Sequence, residues 1–520
     1  MNLQRDEKLN APKTGFTLDP ELNNLDTLST RFSILLSLLA VVFVLPTNLS
    51  AQNARLDLGR RLKRFEVSWE TSTPTQRALA VPFLQKAVRN FFSLSLLEAG
   101  KEMDLAWLAL NPQKKLNSLT NATIGSQLLV SPVCADTETD SLAIQLTAFY
   151  STEQEVNPET RAKLTLTDQE GQQLAEMQVP LHEISQGTSW KLPDLADGDY
   201  TIALTLMQSD NAFTLPPVMF SRIEALEHRL ERLEESAATF KIGTETTNTS
   251  TFKQTLAATV RHESRFFRNL LDGLSQEADF PYSERLKNCE LLLAAKDNPR
   301  EIFNEKRRAH ESWISLANGT RSVPTRIHLP SSSDAPLPVL FVLHGAGGSE
   351  NMFFETYGAG RVISEAAERS WIVVSPRQGL FGLPLDINQM LIALEDIAPI
   401  DRKRIMLIGH SMGAAQVIQQ VRSNPSLPIA AVALGGGGRL SKNDGQRSQS
   451  VAWYIGAGSQ DFGLSSAKQL NQSLIESDNE VRFKIYQNVE HLVVVQAAID
   501  DSFAFLDEVL TNQQNRSDNP

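Results

Sequence analysis

The spacing of hydrophobic positions changes several times along the chain, and each change marks a different kind of element. Phe32 to Leu45 is an uncharged apolar run, FSILLSLLAVVFVL, preceded by Arg31 and followed by PTNLSA ending at Ala51. It is shorter than the roughly 20 residues that a spanning helix needs, and a cation, a short apolar stretch and a small residue in that order are the marks of a secretory signal. Residues 1–51 are therefore expected to direct export, periplasmic or extracellular, with cleavage after Ala51. The alternative is that residues 32–45 are retained as a membrane anchor, because a long polar extension precedes the run. Over residues 52–118 apolar groups recur at helical spacing, through Leu79, Val81, Leu84, Val88, Phe91 and Phe92, then Leu94, Leu96 and Leu97, which predicts a helical region.

The period then becomes two. Leu142, Ile144 and Leu146, then Leu164 and Leu166, then Tyr200, Ile202, Leu204 and Leu206 alternate with polar or small residues, and turn sequences DQEG and DLADG separate the runs. A small β-sandwich over 119–215 is expected, and the segment from Leu192 to Ile202 resembles the last hairpin of immunoglobulin- or fibronectin-like modules. No aromatic platform for carbohydrate is visible in it; Trp190 reads as core. A helical connector follows over 216–318. In Ser221–Ala237 the residues Ile223, Leu226, Leu230 and Leu233 are spaced 3, 4, 3, which fits either a short coiled coil or an amphipathic helix packed on its own chain. Residues 241–251 read as a polar linker and 252–318 as further helix, broken at Pro281-Tyr282.

From 319 to 512 strands and helices alternate. Val339–Leu343, Trp371–Val374, Ile405–Ile408, Ile429–Leu434 and Val451–Ile455 are continuous apolar runs, as strands buried on both faces should be, and Val481–Tyr486 is a last strand. This predicts a doubly wound, mostly parallel sheet, in which ligands bind at the carboxyl ends of the strands. Residues 513–520 read as a tail.

Composition narrows the class. A chain of 520 residues with 41% hydrophobic and 21% charged residues holds about three globular domains. The net charge of −12 offers no phosphate-backbone footprint, so nucleic acid is not an expected partner. Cys134 and Cys289 cannot build a disulfide framework and are expected as buried free thiols. No metal-ligand spacing and no cofactor loop is evident, so neither a metal nor a cofactor is expected.

The chemistry concentrates at the predicted strand ends. Arg404 to Gly413, RIMLIGHSMG, is a strand running into Gly-x-Ser-x-Gly with the helical Ala414–Val421 behind it. The glycines let Ser411 sit on a tight turn from which a Cβ would clash with the neighbouring strand and helix. A serine nucleophile needs a base and donors for an oxyanion. His344-Gly-Ala-Gly-Gly348 follows the first strand, so its backbone amides can serve; the donors are Met412 and either Gly345 or Ala346. His491 is the only histidine after Ser411. Asp461, past the Val451–Ile455 strand, is the expected acid, with Asp444 as the alternative. Glu490 adjoins His491 and its side chain should point elsewhere; His410 should pack structurally.

On these residues the region from about 320 to 512 resembles the α/β-hydrolase superfamily, and most closely the exported esterases related to polyhydroxybutyrate depolymerases and feruloyl esterases, with prolyl-oligopeptidase-like hydrolases nearby. Leu343 to Asn351, LHGAGGSEN, is similar to that group's oxyanion segment, and Ile400 to Gly413 to its nucleophile strand and turn. Ala414 and Glu490 depart from the pattern, each standing where relatives often carry Gly. The resemblance implies a Ser411–His491–Asp461 triad and an acyl-enzyme.

Only a short Gly-rich stretch separates Leu434 from Val451, too little for an inserted lid. The site is expected to be open, which suits polymeric as well as small esters, or to be roofed by the amino-terminal domains. Met352, Phe353 and Phe354 either line an apolar pocket or belong to the core. Hydrolysis of carboxylic esters is the leading expectation. The alternatives are a prolyl-oligopeptidase-type peptidase, an acyltransferase using the same residues, and a non-catalytic binding protein on the same fold. Intact Ser, His and Asp argue against the last, and the absence of propeller repeats against the first.

Overall fold

The computed structural model describes residues 49–240, 251–303, 310–331, 335–378 and 385–518. The apolar run 32–45 and the polar stretch 241–250 lie outside the described residues. The expected cleavage point at Ala51 falls in the first turn of helix α1 (Leu49–Thr71), which is followed by α2 (Pro74–Phe92) and α3 (Leu96–Leu110).

These three helices are built as the sequence requires. Thr73 caps α2: its hydroxyl accepts from the Gln76 amide, the Gln76 side chain reaches back to the Thr73 amide, and Pro74 occupies the first turn where its missing N–H costs nothing. Phe65, Trp69, Val81, Leu84 and Leu108 are buried together. Asp104 on α3, itself buried, receives the guanidinium groups of Arg61 and Arg64 on α1 and, at 2.8 Å, the hydroxyl of Tyr150. A buried carboxylate with three donors is compensated for its lost hydration, and here it also ties the helices to the β-region that follows.

That region contains β1 (Ser126–Ser131), β2 (Cys134–Asp136), β3 (Ser141–Ala148), β4 (Arg161–Thr167), β5 (Gln173–Pro180), β6 (Thr188–Lys191), β7 (Gly198–Gln208), β8 (Asn211–Thr214) and β9 (Val218–Ile223). They form two sheets, β1-β3-β6 and β2-β9-β7-β4-β5, with β8 paired to β7. Leu142, Ile144 and Leu146 of one sheet share an apolar core with Leu164, Leu204 and Leu206 of the other. The expected boundary at 215 moves, because β9 pairs with β7 in the middle of the second sheet.

Helices α4 (Leu226–Thr239), α5 (Thr251–Leu271) and α6 (Tyr282–Ala294) come next. Leu226, Leu230 and Leu233 are buried in a core shared with Leu256, Val260 and Phe267 of α5, so the 3-4-3 stripe packs on its own chain. Cys134 and Cys289 are buried and unpaired.

The expected helix over 252–318 does not reach its end. Residues His310–Asn318 are strand β10, paired antiparallel with β11 (Arg321–Leu329) through a turn at Gly319, whose φ is +67°. Asn318 pairs with Arg321 across a two-residue Gly-Thr loop, a hairpin turn with glycine first, and this moves the start of the large sheet from 319 to 310. The remaining strands are β12 (Leu337–Leu343), β13 (Ile372–Pro376), β14 (Ile400–His410), β15 (Pro428–Leu434), β16 (Ala452–Gly458) and β17 (Val481–Tyr486), in the order β10-β11-β13-β12-β14-β15-β16-β17. The first three in that order are antiparallel and the rest parallel. Helix α7 (Met412–Ser423) follows β14, and α8 (Val494–Asp518) closes the chain, so most of the expected tail at 513–520 is helix.

Candidate active site

The carboxyl ends of β12, β14, β16 and β17 meet at Ser411. This residue joins β14 to α7 with φ 58° and ψ −116°, a backbone conformation that a non-glycine residue holds only when its surroundings enforce it. The enforcement is visible in the flanking glycines. A Cβ on Gly413 would lie 1.8 Å from the Leu343 carbonyl oxygen, and one on Gly409 would lie 2.2 Å from the Gly413 carbonyl oxygen. The strand and the helix approach each other so closely that neither position tolerates a side chain.

Ser411 Oγ stands 2.9 Å from His491 Nε2, and His491 Nδ1 stands 2.7 Å from Asp461 Oδ1. The carboxylate fixes the tautomer: Nδ1–H donates to Asp461, leaving Nε2 to accept from the serine hydroxyl. Burial would raise the Asp461 carboxyl, but the hydrogen bond and charge of His491 and the Gly463 amide, which donates at 2.6 Å, outweigh it and hold the group below its ordinary value. Asp444, the alternative acid, is turned to Arg422 at 3.1 Å and Ser441 at 2.7 Å instead.

Two neighbours steady the imidazole. His410 donates from Nε2 to the His491 carbonyl at 3.0 Å; burial, then repulsion by His491, pushes it down to about 3, so it is neutral and holds backbone rather than protons. Phe462 lies over the His491 ring with centroids 3.9 Å apart. The Glu490 side chain is buried and turned to the Leu492 amide, from which it accepts at 2.8 Å, and it is raised by that burial to about 7 despite the opposing charge of His491.

The loop after β12 is oriented by its own histidine. His344 accepts at Nε2 from the Gln378 amide at 3.0 Å and therefore carries its proton on Nδ1, which donates to the Gly345 carbonyl at 2.8 Å. A trans peptide holds its C=O and N–H on opposite sides, so the Ala346 amide points away from His344. The Tyr357 hydroxyl lies beside Gly345. Of the two expected donors on this loop, Ala346 is the one whose direction these contacts fix.

Met352 lines the cleft over Ser411. Phe353 and Phe354 do not; Phe353 is fully buried against Tyr357, and Phe354 lies under the guanidinium of Arg326 at 4.4 Å. Both are core, because the short helix that carries them turns only one side toward the cleft. The opposite wall was not foreseen residue by residue. Leu58 and Leu62 of α1, Val88 and Phe91 of α2 and Met103 of α3 face the serine across a cleft of about 830 Å³, a volume that includes its solvent-open part. The segment between β15 and β16 contributes only the six-residue helix Lys442–Arg447, so the roof comes from the amino-terminal helices. Among the described residues no group of three or more His, Cys, Asp or Glu is placed to hold a metal.

Residues 383–503 match the model of the dienelactone hydrolase family. Among solved structures, the chain is similar to a ferulic acid esterase, at 15% identity and a TM-score of 0.35 over 39% of this chain and 99% of that one. It is similar to the feruloyl esterase module of Clostridium thermocellum, at 12% identity and a TM-score of 0.33 over 38% and 88%. It is also similar to an S-formylglutathione hydrolase of Agrobacterium tumefaciens, at 16% identity and a TM-score of 0.33 over 40% and 98%. With the family match spanning Ser411, Asp461 and His491, on an eight-stranded sheet that is parallel through all its later strands, the carboxyl-terminal part of this chain is a hydrolase domain of the α/β-hydrolase superfamily.

Proposed function

We propose that this protein hydrolyses carboxylic esters through a covalent acyl-enzyme on Ser411. The observation that carries the reading is the continuous relay from Ser411 through His491 to Asp461, at 2.9 and 2.7 Å. His491 takes the hydroxyl proton as Ser411 attacks the ester carbonyl, and Asp461 steadies the imidazolium that forms. The tetrahedral oxyanion is held by the Met412 amide, one of the unsatisfied first-turn N–H groups of α7, and by the Ala346 amide. His491 then hands its proton to the leaving alcohol, and the same steps with water release the acid.

The amino-terminal segment gives the chain an exported location, with residues 1–51 removed or residues 32–45 kept as an anchor. The two sheets between α3 and α4 are read as an immunoglobulin- or fibronectin-like sandwich. The strand order and the Tyr200 hydroxyl, which donates to the Ala196 carbonyl at 2.8 Å in the manner of a tyrosine corner, support that reading.

The test is hydrolysis of p-nitrophenyl butyrate by the whole chain beside Ser411→Ala. Turnover that disappears in the variant, with stoichiometric labelling of the unaltered chain by a fluorophosphonate, is the expected result. Equal rates in the two proteins would remove Ser411 as nucleophile.

A further inference from the structure

The cleft above Ser411 is closed by helices that precede the hydrolase sheet by some two hundred residues of chain, and the composition of that roof identifies what it covers. Its central residues are Leu58, Leu62, Val88 and Met103, all buried, with Ala87 and Ala99 between them where larger side chains would fill the space. The charged members of the wall stand at one end, where α1 meets the loop after β12. There Arg55 donates to the Gly347 carbonyl, and a Cβ on Gly59 would lie 1.8 Å from the Glu277 carbonyl oxygen. Away from that end none of the described residues of the roof offers a hydrogen bond to a polar substituent. A group entering there loses its hydration without replacement, which favours hydrocarbon and penalises charge.

The side of the ester that enters follows from the floor of the cleft. The floor is Gly345 to Gly348, then Met352 and Tyr357, the same loop whose Ala346 amide holds the carbonyl oxygen under the reading above. The leaving alcohol must lie toward His491 Nε2, which protonates it. The acyl group is therefore the part directed along the loop and under α1, α2 and α3.

We infer that the amino-terminal helices form an acyl-binding slot and that the substrates are esters of uncharged, medium-chain aliphatic acids. This rests on the esterase reading and goes beyond it, since it assigns specificity to residues outside the hydrolase sheet.

The experiment compares kcat/KM for p-nitrophenyl acetate and octanoate with the full chain, Val88→Trp, Leu62→Ala and Ser411→Ala. In the unaltered chain the octanoate is expected to exceed the acetate by at least about tenfold, since each buried methylene adds binding that acetate lacks. Val88→Trp, which fills the slot, is expected to lower the octanoate-to-acetate ratio at least about tenfold. Leu62→Ala, which widens it, is expected to raise the ratio of laurate to octanoate, and this second variant carries the test if the tryptophan variant does not fold. Acetate preferred by the unaltered chain, or ratios that neither substitution moves while Ser411→Ala abolishes turnover of both esters, would overturn the slot and leave the esterase reading standing. Turnover that survives Ser411→Ala would instead overturn the esterase reading, and the acyl slot with it.

Discussion

Glu66 on α1 accepts a hydrogen bond from the Gly358 amide at 2.7 Å, across 292 positions of sequence. The carboxyl is fully buried and its other oxygen has no partner. Gly358 has a φ of +61°, and a Cβ there would lie 2.4 Å from Ile499, so this turn is held between α1 on one side and α8 on the other. The pair is thus a point of attachment between the helical roof and the hydrolase domain.

It also has a pH signature. Burial pushes the Glu66 carboxyl well above its ordinary value, and the Gly358 amide offsets only part of that. The folded state then binds a proton that the unfolded state has released, so stability falls as pH rises from the ordinary carboxyl range toward the raised value and stays reduced above it. Glu66→Gln keeps an oxygen for the Gly358 amide and removes the charge. An apparent Tm higher by a few degrees at pH 8, with little gain at pH 4, is expected from scanning calorimetry, on the scale of about 2–4 °C per kcal/mol for domains of this size. A lower Tm at pH 8 would mean that the carboxylate is itself required.

The contact of Gly413 with Leu343 makes a sharper prediction. Since a Cβ would meet backbone at 1.8 Å and not a yielding side chain, Gly413→Ala must either push α7 off β12 or unwind the turn at Ser411. A loss of more than about 4 kcal/mol is expected, in the class of overpacked and strained sites. Soluble yield and urea midpoint of the variant measure it; a variant that folds with its midpoint unchanged would contradict the geometry.

What the sequence made legible follows from where each signal originates. The strands β12 to β16 are buried on both faces, so each writes itself as an unbroken apolar run, and the Gly-x-Ser-x-Gly turn and the loop at His344 are local in sequence. Ser411 and Asp461 each stand just past such a strand, and His491 follows the half-exposed β17. β10 and β11 were not legible in the same way, because Glu311, Ser312, Arg326 and His328 interrupt them; Glu311 and Arg326 pair with each other across the hairpin, and the Ser312 hydroxyl donates to Asn288. Met352 and Phe354 look alike as apolar residues after a catalytic loop, and only the packing of Arg326 on Phe354 separates core from cleft. The roof is least legible of all: Val88 and Phe91 read as part of one more apolar stripe, and their position over Ser411 depends on contacts such as Glu66 with Gly358 that no local pattern encodes.

The two carboxylates considered as partner for His491 are separable by activity. Asp461→Asn leaves the shape of the site but reverses which nitrogen of His491 carries the proton, since the amide donates where the carboxylate accepted. A fall in kcat of roughly 1,000- to 10,000-fold is expected, with KM little changed. Asp444→Asn loses an ion pair with Arg422, whose side chain is 56% exposed, and kcat should stay within about twofold. The reverse pattern in steady-state kinetics would reassign the acid.

Glu490 sets the last prediction, because it occupies the position next to His491 with a buried carboxyl raised to about 7. As pH rises through that value the group gains a negative charge beside the imidazole that must accept the Ser411 proton. The profile of kcat/KM against pH should therefore carry a step where Glu490 ionises. In Glu490→Gln that step is expected to disappear, while the amide oxygen still accepts from Leu492. The stability consequence has the same origin. With its folded value above its unfolded one, Glu490 lowers stability as pH rises from about 4.5 to about 7, and the glutamine variant should lose that slope. Rate profiles from pH 5 to 9 and melting curves over the same range test both; a variant profile of unchanged shape would show that the Glu490 charge does not reach the imidazole.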